Sequence, residues 1–149
     1  MRRISTDVLI SAEPEEVWSV LTDFERFPDW NPFIVAAEGR LEPGTRLDLR
    51  FQQAGGRQMA IRPTVVAVEP GRLLRWRGSL WVPGIFDGEH TFELTPRDGG
   101  THLVQAESFG GVLVPFTQRV IRDTVGRFTD LNEALKSRVE SGVWRPRQV

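Results

Sequence analysis

His90 and Glu107 carry the clearest chemical signal in this 149-residue chain, because a single turn between them decides whether they meet. The turn is Asp98-Gly99, a favoured two-residue hairpin pair in which both positions tolerate positive φ. It sets Leu94 opposite Leu103, Phe92 opposite Gln105, His90 opposite Glu107 and Gly88 opposite Phe109. Phe86, Phe92, Leu94, Leu103 and Phe109 all fall on one face, which is therefore the interior, and Glu89, Thr91, Glu93, Val104 and Ala106 fall outside. His90, Gln105 and Glu107 are predicted to project inward. A histidine and a glutamate with Cβ atoms about 5 Å apart across a strand pair form a charge-assisted or proton-shuttling pair. Such a pair can orient a ligand's polar group or serve as acid and base on a carbonyl or hydroxyl. It can equally be a structural pair that Gln105 completes.

Other chemistries find no support. His90 and His102 differ in strand parity, so they point to opposite faces of one hairpin and cannot share a metal. There is no Gly-x-Ser-x-Gly elbow and no glycine-rich phosphate loop ending in Lys-Ser/Thr. With zero cysteines, disulfides, thiolate metal sites and cysteine nucleophiles are excluded. No metal and no cofactor are expected. Nineteen basic against 20 acidic residues give a formal charge of -1, which supplies no field for nucleic acid or an anionic membrane. Arg46, Arg50, Arg57, Arg62, Arg75 and Arg77 read as the solvated side of strands, without the aromatic interleaving of a nucleic-acid platform. No segment approaches the roughly 20 apolar residues of a membrane span, and the opening Met-Arg-Arg lacks the apolar core of a signal peptide. The expected location is the cytoplasm.

The elements that must position this pair follow from periodicity. Ile4, Thr6, Val8 and Ile10 alternate with polar neighbours as a half-buried strand does. A short helix over 14–22 follows, with Ser11 as a candidate cap, Pro14 and Glu15 in its first turn, and Val17, Trp18 and Leu21 on one face. A second short helix is predicted over 25–30, before Pro32. Six strands then read as 33–41, 45–53, 58–69, 72–81, 86–95 and 102–110, separated by glycine- or proline-rich breaks. Alternation turns Leu47, Leu49 and Phe51 inward, then Met59, Ile61 and Val65, with Pro63 making that strand irregular, then Leu74, Trp76, Gly78 and Leu80. Ile121, Thr124, Phe128, Leu131, Leu135 and Val139, widened by Val120 and Val125, form the apolar stripe of a long helix that Pro115 can open and Gly142 can end.

Strand, two short helices, six strands and one long helix make an α+β fold: a seven-stranded curved antiparallel sheet closed by the helix. A curved sheet and a straight helix cannot touch everywhere, so a hollow between them is either filled by large side chains or kept as a pocket. The candidate walls are Trp30, Leu49, Phe51, Met59, Trp76, His90, Phe92, Gln105, Glu107, Phe109, Phe116, Ile121 and Phe128, each of which can instead be plain core. In "DFERFPDWNPFI", Phe24, Phe27, Trp30 and Phe33 are expected to cap the hollow as a lid whose path Pro28 and Pro32 fix, or else to seal the end of the core. Residues 1–142 read as one domain and 143–149 as a tail holding Trp144.

The element order, with "AEPEEVWSVLTDFERFPDWNPFI", "LRWRG", "FDGEHTFELTP" and "ESFGGVLVP", resembles the START-related, birch-pollen-allergen-like (SRPBCC) superfamily over about residues 3–141. Within it the chain is similar to the bacterial polyketide cyclase/dehydrase-like branch. The resemblance implies a helix-grip architecture around a cavity. Three functions stay open. The first is a non-catalytic binding protein for a small hydrophobic molecule, whether lipid, aromatic or polyketide-like. The second is a cyclase or dehydratase with His90 and Glu107 as its proton-transfer groups. The third is an interaction module acting through the tail around Trp144. A homodimer is also left open.

Overall fold

The computed structural model describes residues 2–53, 56–80 and 84–142, without the side chain of Leu80. The expectations placed on Trp144 and the tail lie outside the described residues. β1 (Arg2–Ile10) leads into α1 (Pro14–Leu21), a 3-10 turn (Phe24–Arg26) and α2 (Phe27–Trp30). Then come β2 (Ile34–Glu38), β3 (Asp48–Gln52), β4 (Gln58–Ile61), β5 (Thr64–Glu69), β6 (Leu73–Leu80), β7 (Phe86–Arg97) and β8 (Gly100–Gly110). A 3-10 turn (Val114–Phe116) precedes α3 (Gln118–Ser141). The α+β architecture is thus a curved antiparallel sheet gripping a long C-terminal helix.

One predicted strand is two. Pro63 has no N–H to give to a ladder, so the run 58–69 breaks there into β4 and β5. The described strands accordingly form a five-stranded sheet in the order β1-β8-β7-β6-β5 and a three-stranded sheet in the order β2-β3-β4. The two are joined by the Arg46–Thr64 bridge and by hydrogen bonds from Leu47 N to Pro63 O (2.8 Å) and from Val65 N to Thr45 O (2.8 Å).

The central hairpin has the predicted register, His90 opposite Glu107 and Phe92 opposite Gln105. Asp98 takes φ 48° and Gly99 φ 79°, the two positive values that the turn requires. Ala106 departs from the outward set in burial: its methyl is too short to rise above the cross-strand neighbours Ser5 and Thr91, and it is buried.

Ser11 does not cap α1. Glu13 holds the N-cap position, and Pro14 occupies the first turn, where a missing N–H is harmless. Instead Ser11 N donates to Glu140 Oε2 (2.8 Å), while Lys136 Nζ donates to Glu140 Oε2 (2.7 Å) and to Leu9 O (2.7 Å). This clamp holds the C-terminal half of α3 over the turn end of the sheet. At the other end Arg2 Nη1 donates to Gln118 Oε1 (2.8 Å). Gly142 ends α3 in the left-handed region at φ 71°, as the sequence predicts.

Phe116 corrects the sequence reading outright: it is 82% exposed. The chain makes its 3-10 turn before α3 starts, so Phe116 precedes the inward stripe rather than belonging to it. Val120 is exposed too, at the edge of that stripe.

Candidate functional site

The inward faces of β6, β7 and β8 are solid at the turn end and hollow at the other. A cavity of about 640 Å³ opens there, within the size range of small-molecule pockets. Its floor is set by strand alternation: Trp76 and Gly78 from β6, Phe86 and Gly88 from β7, Glu107 and Phe109 from β8. Gly78 and Gly88 are cross-strand partners, so bare backbone replaces side chains at the centre of the floor. Phe51, Met59 and Ile61 supply a wall from the small sheet, with Pro63 and Phe33 beside them. The N-terminal half of α3 covers the cavity with Val120, Thr124 and Phe128, and Arg122, Asp123 and Arg127 border it.

Of the predicted wall residues, Phe51, Met59, Trp76, Glu107, Phe109 and Phe128 border this cavity. Leu49, Phe92 and Ile121 are buried in the continuous core. Trp30 packs against that core from the side, edge-on to Phe27 (5.3 Å), and Phe27 is in turn edge-on to Phe24 (5.1 Å). Three rings of the expected lid therefore seal the core, because the 3-10 turn and α2 turn them inward before the chain reaches the cavity. Only Phe33 borders it, in ring contact with Phe51 (4.9 Å) and Phe128 (5.7 Å).

His90 and Gln105 sit directly behind the cavity wall, both fully buried. The imidazole stacks on Trp76 (5.1 Å, 21°) and is flanked by Phe92 (4.7 Å) and Phe128 (4.8 Å). Its Nδ1 lies 2.9 Å from Glu107 Oε1 and its Nε2 3.0 Å from Gln105 Oε1. Both nitrogens are occupied and the ring is walled in. His90 therefore reaches a cavity molecule through Glu107, whose side chain is 18% exposed and borders the cavity.

The polar line continues beyond Gln105. Gln105 Nε2 donates to Phe128 O (3.2 Å) and to Asn132 Oδ1 (2.7 Å). Asn132 Nδ2 donates to Thr6 Oγ1 (2.9 Å), and the Thr6 hydroxyl donates to Gln105 O (3.1 Å). Four elements, β1, β7, β8 and α3, are thus locked by one satisfied network in a low-dielectric interior. Asn132 is absent from the residues that the sequence singles out. Its signal is position: it stands four residues after Phe128, on the inward stripe, where a polar residue needs a buried partner.

His102 lies on the outer face, as parity predicts, with Nε2 2.7 Å from Asp7 Oδ2. Among the described residues no group of three or more His, Cys, Asp or Glu is placed to hold a metal. Nor is any helix there long and apolar enough to cross a membrane. Three of the outer arginines are paired, Arg77 with Glu89 (2.5 Å), Arg75 with Glu89 (3.6 Å) and Arg62 with Asp48 (2.9 Å).

Residues 1–140 match the sequence model of a family described as polyketide cyclase / dehydrase and lipid transport. No curated protein sequence matches the chain. Among solved structures, protein MLL2253 from Mesorhizobium loti is similar at 24% identity and TM-score 0.75, over 94% of this chain and 98% of that one. Ara h 8.0201 is similar at 17% identity and TM-score 0.72, over 94% and 98%. The Zhui aromatase/cyclase from Streptomyces sp. R1128 is similar at 17% identity and TM-score 0.74, over 99% of each chain. At these identities the likeness is one of fold.

Proposed function

The chain belongs to the polyketide cyclase / dehydrase and lipid transport family, and from that premise we propose that it binds a small hydrophobic molecule in the cavity under α3. The observation that carries this reading is the cavity itself: about 640 Å³, walled by Phe33, Phe51, Trp76, Phe86, Phe109 and Phe128, with glycines on its floor. Apolar walls favour transfer of an apolar molecule from water at about 25 cal/mol per Å² buried. Lipid, aromatic and polyketide-like molecules all suit that chemistry. Native mass spectrometry of protein purified from cells tests it: a retained small molecule, or saturable uptake of an apolar probe, is the expected result. Repeated absence of both contradicts it.

A second reading has its own observation, the Glu107 carboxylate that borders the cavity with His90 behind it. In a cyclase or dehydratase, Glu107 would exchange the proton with substrate while His90 held its geometry and charge. The Zhui protein, an aromatase/cyclase by name, has the same fold. On this reading Glu107→Gln abolishes turnover while folding and ligand affinity stay nearly intact. Loss of folding in that variant would make the pair structural.

A further inference from the structure

The network behind the cavity dictates what kind of polar group a ligand can bring to Glu107. Phe128 O is a backbone carbonyl and can only accept, so the Gln105 side chain must turn its NH₂ toward it. Asn132 Oδ1 accepts from the same nitrogen, and Asn132 is oriented in turn by Thr6, whose hydroxyl is committed to Gln105 O. Gln105 Oε1 is then the atom that faces His90 Nε2, and an oxygen there requires that Nε2 carry a hydrogen.

That settles the other side of the ring. With Nε2 protonated, the 2.9 Å approach of Nδ1 to Glu107 Oε1 needs one proton between them, since two facing lone pairs would repel. The proton belongs to His90 Nδ1 or to Glu107 Oε1. In either case the pair is neutral as a whole, and in either case Glu107 Oε2 is left as an acceptor.

Among the described residues Oε2 receives no hydrogen bond. It lies over Gly88, so close that a Cβ at that position would come within 3.2 Å of it. We propose that Glu107 Oε2 is the cavity's polar recognition point, and that it selects a neutral ligand carrying a hydroxyl donor, an alcohol or phenol, over carboxylate and ammonium counterparts. A carboxylate would bring a second acceptor to an acceptor. An ammonium would lose its hydration to face a pair with no net charge. A neutral hydroxyl donates and leaves no buried charge unpaired.

This inference rests on the reading of the cavity as a ligand site, and its test separates the two. 2-Naphthol, 2-naphthoate, 2-naphthylmethylammonium and 2-methylnaphthalene are titrated into the wild-type protein and into Glu107→Leu and Glu107→Gln, each checked for folding by circular dichroism. Wild type is expected to bind 2-naphthol about tenfold more tightly than any of the other three, the worth of one well-made hydrogen bond. Glu107→Leu should bind 2-naphthol and 2-methylnaphthalene alike. Equal binding of 2-naphthol and 2-methylnaphthalene by wild type, tighter binding of the naphthoate or ammonium, or a preference that survives Glu107→Leu overturns the proposal while leaving the cavity reading standing. No binding of any of the four overturns both. The proton assignment has its own readout, because the chain has only two histidines. Long-range proton–nitrogen spectra should show His90 with a protonated Nε2, and a bare Nε2 with hydrogen on Nδ1 overturns the assignment whatever the titrations give.

Discussion

β7 and β8 run the length of the grip, and their inward faces differ from one end to the other. Toward the turn they present Phe92, Leu94 and Leu103, all fully buried, with Leu131, Leu135 and Val139 of α3 equally buried. Away from the turn they present Gly88, Glu107 and Phe109 under Val120 and Thr124, and a cavity remains. The C-terminal half of α3 is clamped by Glu140 and Lys136 to the end of β1, whereas its N-terminal half crosses above two glycines. His90, Gln105, Phe128 and Asn132 form the partition between them. The same hairpin therefore serves stability at one end and recognition at the other, and side-chain volume on a shared face decides which.

The largest expected effect is at the partition. Phe128→Ala removes a ring that touches His90 and Phe33 and borders the cavity, and should cost about 3–5 kcal/mol in urea unfolding. Next comes the contrast between the ends. Leu103→Ala in the solid half should cost about 2–5 kcal/mol, while Met59→Ala at the half-exposed cavity wall should cost less than about 1 kcal/mol. Similar losses at both sites would erase the distinction.

A smaller effect is expected at the floor. Gly88→Ala places a Cβ 3.2–3.3 Å from the Glu107 carboxylate and must push it by a few tenths of an ångström. Stability should change by less than about 1 kcal/mol, while the His90 imidazole signals move and those of His102 do not. The smallest lies in the clamp. The hydrogen bond from Lys136, then that from Ser11 N, holds the Glu140 carboxyl below its ordinary value. A carboxyl lowered by folding contributes stability that is present above the unfolded value, about 4.3, and is lost as pH falls through the folded one. Wild type should thus exceed Glu140→Gln by no more than about 0.5 kcal/mol at neutral pH, because the group is partly solvated, and the gap should close below about pH 4.

Much of this is legible in the sequence for a local reason. Asp98-Gly99 admits one tight turn, and that turn alone sets the register that brings His90 to Glu107. The apolar stripe from Ile121 to Val139 likewise reports a helix face directly. Where the cavity begins is not legible, since it depends on how α3 crosses the sheet, and no local pattern encodes that distance. Alternation puts Phe92 and Phe109 on one face without saying that the first is core and the second is wall. Phe24, Phe27 and Trp30 resist a sequence reading for the same reason: their clustering marks a seal, and only the path of the 3-10 turn and α2 shows which space they seal. Pro63 signals irregularity, and its full consequence, the division into two sheets, needs the partner strands.

The most direct test of the central claim is a titration of N-phenyl-1-naphthylamine, read by its fluorescence, into the wild-type protein and into Thr124→Trp. Thr124 is half-buried on α3 and borders the cavity, so an indole there fills the hollow while the solid half is untouched. Saturable binding to wild type, weakened about tenfold or more in a Thr124→Trp protein of unchanged stability, is the predicted result. No saturable binding to wild type, or equal binding to both, would contradict it.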